Sequence, residues 1–171
     1  LAEWSSHHND FLSELLRAEG LRGNDTSHCS WCPSESASEA LLQCKDCVSE
    51  ALLCDSCCIL VHATNPFHCV QRWNGQFFDK ITLKDLGLVF QVGHPPDVAC
   101  INPRLGPRDF VVVHTNGIHS ISIRYCKCNH FHEAGDTIQQ LLRYELYPAT
   151  LSDPTTCFTY CVLEHFSMLT L

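Results

Sequence analysis

The sequence predicts a mixed α+β fold, and three observations carry that prediction. A string of Cys and His pairs runs between residues 29 and 68, an alternating apolar hairpin occupies residues 109 to 125, and short amphipathic segments with capping residues flank both.

With 171 residues and a hydrophobic share of 45%, the chain can form one substantial core, or a small metal-held lobe beside a more ordinary one. Its 13 cysteines raise the possibility of disulfides, but the odd total, the repeated C-x2-C spacing and the 11 histidines favour metal. No apolar run reaches about 18 residues, so no membrane-spanning helix is expected. Leu1 to Asp10 is polar and lacks a secretory pattern. A start without Met and an end inside the apolar Met168-Leu169-Thr170-Leu171 are expected of a fragment.

The ligand string reads Cys29-x2-Cys32, Cys44-x2-Cys47, Cys54-x2-Cys57, His62 and His68. Eight such ligands suit two tetrahedral zinc ions with no open position, the structural rather than the catalytic arrangement. The crossed pairing places Cys29, Cys32, Cys54 and Cys57 on one ion and Cys44, Cys47, His62 and His68 on the other. It is favoured because the polar loop from Pro33 to Gln43 cannot support an independent finger. Cys58 is a possible substitute for Cys57, and Cys69 adjoins His68; both also read as small buried hydrophobes.

Before this string, Trp4, Phe11, Leu12, Leu15 and Leu16 recur at helical spacing up to Gly20, predicting a packing helix over residues 6 to 19. After it, Thr82 and Asp85 form a capping pair for a single turn ended by Gly87, and Leu88 to Val92 is a short strand. The hairpin turns at Asn116-Gly117, pairing Thr115 with Ile118 and His114 with His119. Phe110, Val112, His114, His119, Ile121, Ile123 and Tyr125 then share one face. Asp136 caps a helix to about Tyr147, and Asp153-Pro154 starts a last helix that carries Phe158, Val162, Phe166 and Leu169 inward.

A third cluster follows from the hairpin. Cys126-x-Cys128 places two sulfurs at the exit of its second strand, and His94 and Cys100 lie on the segment leading into its first. Seven strand steps, roughly 23 Å, separate His119 from Cys126, so His119 joins the site only if the strand breaks. His130 and His132 are further alternatives for the fourth ligand. Pro95, Pro96, Pro103 and Pro107 keep the preceding segment from forming a helix or central strand, which leaves a metal as its clamp. The expected organisation is a packing helix and linker at 1–24, a cross-braced zinc module at 25–75, and an α+β lobe at 76–171 against which that module packs.

The spacing over residues 29 to 68 resembles a B-box zinc domain, a protein-interaction module. Over a longer span, Gln91-Val92-Gly93-His94, Asn116-Gly117-Ile118-His119, Cys126-Lys127-Cys128 and Tyr147-Pro148-Ala149-Thr150 resemble the CxC2-like cysteine-cluster domain associated with KDZ transposases of fungi. That resemblance extends from about residue 25 to 169. It implies a zinc-binding domain ahead of a transposase catalytic region, in a nuclear setting of DNA transposition. The twelve ligands named above carry over with it, giving three zinc ions.

Catalysis is not expected of this chain. Asp97, Asp109, Glu133 and Asp136 share no periodicity and read as surface charge and caps, while Cys157, Cys161 and His165 fall near apolar helix positions and read as packing. The 11 basic against 19 acidic residues give a net charge of -8. Bound thiolates would take this to about -11, a poor start for an independent nucleic-acid binder. Arg104, Arg108, Arg124 and Lys127 could still gather at the hairpin base for weak DNA-backbone contact. Two functions follow: an accessory module that helps target a transposase-like protein to DNA or chromatin, or a structural module or docking surface for the rest of the same polypeptide or a protein partner, with Trp73, Phe77 and Phe78 as an apolar anchor.

Overall fold

The computed structural model describes residues 2–33, 38–95, 98–128 and 134–170. Helix and strand are mixed along the chain, and contacts divide it into two compact units. The first comprises residues 1–58 and 70–81, and the second 59–69 and 82–171. The boundary expected at residue 75 therefore falls within a hairpin.

In the first unit, helices α1 (Ala2–Ser6) and α2 (His8–Glu19) precede a three-stranded sheet of order β1-β2-β3, formed by Leu42–Cys44, Val70–Trp73 and Phe78–Ile81. Gly75, with φ +103, supports the β2–β3 turn, and the Asn74 side chain accepts from the backbone N–H groups of Gln76 and Phe77. Leu42 is fully buried and exchanges backbone hydrogen bonds with Leu53. No residue of α2 is buried, so the expected packing helix leaves Phe11, Leu15 and Leu16 exposed. Trp73 packs on Phe78 at 5.0 Å between ring centroids, while Phe77 is exposed. Helix α3 spans Asp55–Val61.

Two sheets build the second unit. One has the order β4-β8-β5, from Val89–Gln91, Ser122–Cys126 and Pro103–Leu105; the other has the order β7-β6-β10-β9, from Gly117–Ser120, Val111–His114, Thr156–Thr159 and Leu146–Pro148. Pro103 sits on an edge strand, where its missing N–H does no harm. Ile121 lies between β7 and β8, and the chain changes sheets there. The hairpin register is shifted by two residues from that expected: His114 opposes Gly117 and Val112 opposes His119, with Thr115-Asn116 at the tip. This slip by a whole pair keeps each residue on its expected face. Phe110, Val112, Ile121, Ile123 and Tyr125 accordingly join Val92, Leu141, Leu146 and Cys157 in one core.

Asp136 caps α4 (Thr137–Arg143) with a reciprocal Asp136/Gln139 capping box. This helix ends earlier than expected because Leu146–Pro148 is drawn into the sheet as β9. The last segment differs more. Residues 156–159 form strand β10 rather than the start of a helix, paired in parallel with β6, and Thr159 caps α5 (Tyr160–Leu169). Cys157 is therefore buried in a strand and Cys161 is exposed on a helix, which separates the expected helical row with His165. Phe166 and Leu169 are exposed instead of facing inward.

Candidate metal centres

Among the described residues, three groups of four side chains gather their ligand atoms within 4.8 Å of one another: Cys29, Cys32, Cys54 and Cys57; Cys44, Cys47, His62 and His68; and His94, Cys100, Cys126 and Cys128. Each set could hold a metal ion. The first two sets are crossed along the chain, each joining ligands from opposite sides of the other's.

Local structure places the first set. The Cys32 N–H donates to the Cys29 carbonyl, closing the C-x2-C turn, and Cys54 and Cys57 flank the start of α3. Arg72 clasps both carboxylate oxygens of Asp55, at 2.9 and 2.8 Å, and fixes β2 to that helix start. Cys32 Sγ lies 3.6 Å from the sulfurs of both Cys54 and Cys57. A tetrahedron of thiolates at about 2.3 Å from zinc has edges of about 3.8 Å, so the spacing suits a shared ion and is far longer than a disulfide. Burial pushes the Cys54 thiol up, but hydrogen bonds from the Ser56 hydroxyl, the Cys57 N–H and the neighbouring thiols outweigh it and hold it at about 6. Burial and the neighbouring thiols push Cys57 far above its ordinary value.

In the second set His62 is fully buried and its ring meets that of His68 edge-on at 5.3 Å.

The third set is the most enclosed. His94 Nε2 lies 3.1 Å from Cys126 Sγ and 3.3 Å from Cys128 Sγ, and those sulfurs are 3.2 Å apart. Strand β8 delivers Cys126, paired with Pro103 on β5, and the Lys127 N–H donates to the Asn102 carbonyl just beyond. Buried Gln140 locks this strand end from α4: its Oε1 accepts from the Cys126 N–H at 2.8 Å, and its Nε2 donates to the Cys126 and Gly135 carbonyls at 3.0 Å. Gly93 has φ +80, and a Cβ there would come within 2.6 Å of Gln140 Oε1 and 2.7 Å of Cys126 Cβ. The Tyr144 hydroxyl donates to the His94 carbonyl. Burial and the Cys128 and Cys100 thiols raise Cys126 to about 11 despite the Cys128 N–H. Burial also acts on Cys100, but the Asn102 and Lys127 N–H groups and the other two thiols keep it below its ordinary value.

Among the alternatives, His119 belongs to none of these sets; its Nε2 lies 2.8 Å from Asn116 Oδ1. His130, His132, Asp97 and Glu133 lie outside the described residues. Cys58 and Cys69 stand outside the three sets, and burial raises the Cys58 thiol to about 11. Sequence reasoning missed Gln140, Gly93 and Tyr144 as supports of the third set. The Gly-His step and the Gln on a capped helix are too common to signal a role alone.

Arg104 pairs with Tyr125 and Arg124 with Leu105, so the two arginines lie on opposite faces of the β5–β8 pair. Arg104 holds its guanidinium 5.4 Å from the Tyr125 ring centroid and donates to Thr137 Oγ1 at 2.8 Å. It also shares a shallow cavity with Asp136 and Asp153.

Three compact Cys/His sets on a mixed α+β scaffold define a multi-cluster, metal-binding type of module. The family model described as a CxC2-like cysteine cluster associated with KDZ transposases matches residues 83–171, just over half of the chain, and the chain belongs to that family. The match begins after the first two sets, later than the residue-25 start expected from the sequence. No curated protein and no solved structure matches the chain.

Proposed function

We propose that this chain is a zinc-clamped, non-catalytic accessory module of a transposase-like nuclear protein, and that it works by docking protein segments rather than by reading DNA. The observation that carries this reading is the composition of the three sets. Each supplies four Cys or His donors and no carboxylate, which suits zinc and fills a tetrahedron without leaving a position for substrate or water. These residues would hold the ions, and each ion would supply cross-linking of loops in place of an apolar core.

The docking arm is supported over DNA targeting by charge. A net charge of -8 repels a polyanion, Arg104 and Arg124 lie on opposite faces of the β5–β8 pair, and Arg104 is already committed to Tyr125 and Thr137. Titration of a labelled duplex at about 0.15 M salt tests this, with binding expected to be weaker than micromolar. Submicromolar affinity, lost when Arg124 and Lys127 are replaced by Ala, would establish the DNA reading instead.

A further inference from the structure

We propose that the second unit carries an aromatic cage for a methylated ammonium group, and that its occupant is a trimethylated lysine side chain within a basic peptide. This deepens the docking reading by naming the chemistry of the partner.

A cavity of about 410 Å³ is lined by Phe67, Phe90, Tyr144, His114, Glu145 and Thr159, together with neighbours that include His68 of the second Cys/His set and Cys161. That size is within the range of sites that enclose a small organic group. Its aromatic rings are inclined to one another rather than stacked, two of the pairs steeply. Phe90 and Tyr144 are 5.4 Å apart at 88°, and Phe67 and Phe90 are 6.1 Å apart at 65°. Phe67 also meets His114 at 5.5 Å. Rings inclined in this way can present π faces from several sides to one cation, which is how quaternary ammonium groups are recognised.

The walls are held before any ligand arrives. Tyr144 is anchored through its hydroxyl to the His94 carbonyl, the Phe67 carbonyl accepts from Asn116 Nδ2 at 2.9 Å, and His114 Nδ1 lies 2.8 Å from Thr159 Oγ1. Glu145 supplies the carboxylate of the lining. Its backbone is held at φ +57, an unfavourable region for a non-glycine residue, by its N–H on the Leu142 carbonyl and by the Tyr160 N–H on its own carbonyl. The Glu145 backbone is thereby fixed at the cavity, and its side chain is exposed there.

Methylation selects for such a site. An unmethylated ammonium is strongly hydrated and loses more on leaving water, whereas a trimethylammonium is greasy and still charged. The net charge of -8 attracts a basic peptide. A choline headgroup offers the same cation, but its phosphate would lie close to Glu145, which disfavours a lipid source.

The test uses the full zinc-loaded chain and a short Arg-rich peptide carrying trimethyllysine. Controls are the same peptide with unmethylated lysine and with the neutral tert-butyl isostere, and phosphatidylcholine vesicles. Titration calorimetry should show about tenfold tighter binding of the trimethyl peptide than of either peptide control. Phe90→Leu should remove that preference, and Glu145→Gln, at an exposed position, should weaken binding about threefold without disturbing the fold. Metal content is measured on every variant, so loss of the zinc clamp is distinguished from loss of the cage. Equal binding of the neutral isostere, absence of binding by a chain with its full metal content, or competition by the vesicles would each overturn the proposal.

Discussion

Among the described residues of the first unit the buried hydrophobic side chains are Cys29, Ala40, Leu42, Leu52, Leu53, Cys54, Cys58 and Val70, so three are cysteines and none is aromatic. The second unit buries Phe110, Tyr125, Leu141 and Leu146 together with Val92, Val112, Ile121 and Ile123 in one continuous core. The first therefore buries little apolar area against its chain entropy, and the Cys and His side chains it gathers could add order by holding ions. In the second, burial does most of the work and the third Cys/His set clamps one strand end. Metal and apolar burial are alternative ways to stabilise short strands, and the two units offer them in different proportions.

Removing metal is the strongest way to break that contrast. A tight chelator should abolish hydrogen-exchange protection across β1 to β3, because binding free energies of about 10 kcal/mol or more are folding free energy in such sites. The β6, β7, β9 and β10 strands should keep most of their protection. Equal loss in both units would show that the second also lacks an independent core.

The reverse perturbation targets apolar burial. Phe110→Ala removes a fully buried ring and should cost about 3–5 kcal/mol in denaturant unfolding of the second unit. Bound metal per chain, measured before denaturation, should stay unchanged at the first set.

Changing pH should sharpen the contrast with a smaller effect. Burial raises the Cys157 thiol from 9.0 to about 12. Burial, aided by the nearby Cys157, raises Tyr125 from 10.0 to about 12. The unfolded chain would ionise both groups first, so their contribution is full below about pH 9 and is lost as pH rises toward 12. Alkali should therefore loosen the second unit, and Cys157→Ala should flatten the early part of that loss. Acid should act on the metal sets instead, because bound ligands must be deprotonated. Thermal melts across pH, followed by a probe in each unit, check both directions.

The gathering of Cys and His into sets of four was legible because such residues at fixed short spacings have few alternative explanations in such numbers. The inward face of the hairpin was legible too, since a period of two survives a register slip by a whole pair. Tertiary pairing was not. Cys157-Phe158-Thr159 is a short apolar run after Asp153-Pro154, and a helix start and a strand look alike there until β6 and β9 supply partners on both sides. The shift of the chain between sheets at Ile121 leaves no local mark, because the alternation continues through it. Gln140 and Gly93 acquire their roles only when α4 and the β4 exit meet at Cys126.

The most direct measurement is the metal content of the purified 171-residue chain, taken together with the reactivity of its 13 cysteines. Three zinc ions per chain are expected, with exposed Cys161 reacting quickly with a thiol reagent and the cysteines of the three sets reacting only after chelation. Cys126→Ala should lower the content from three ions to two and leave the first two sets filled. A wild-type chain that saturates at two ions, with Cys126 and Cys128 open to the reagent, would contradict the third centre.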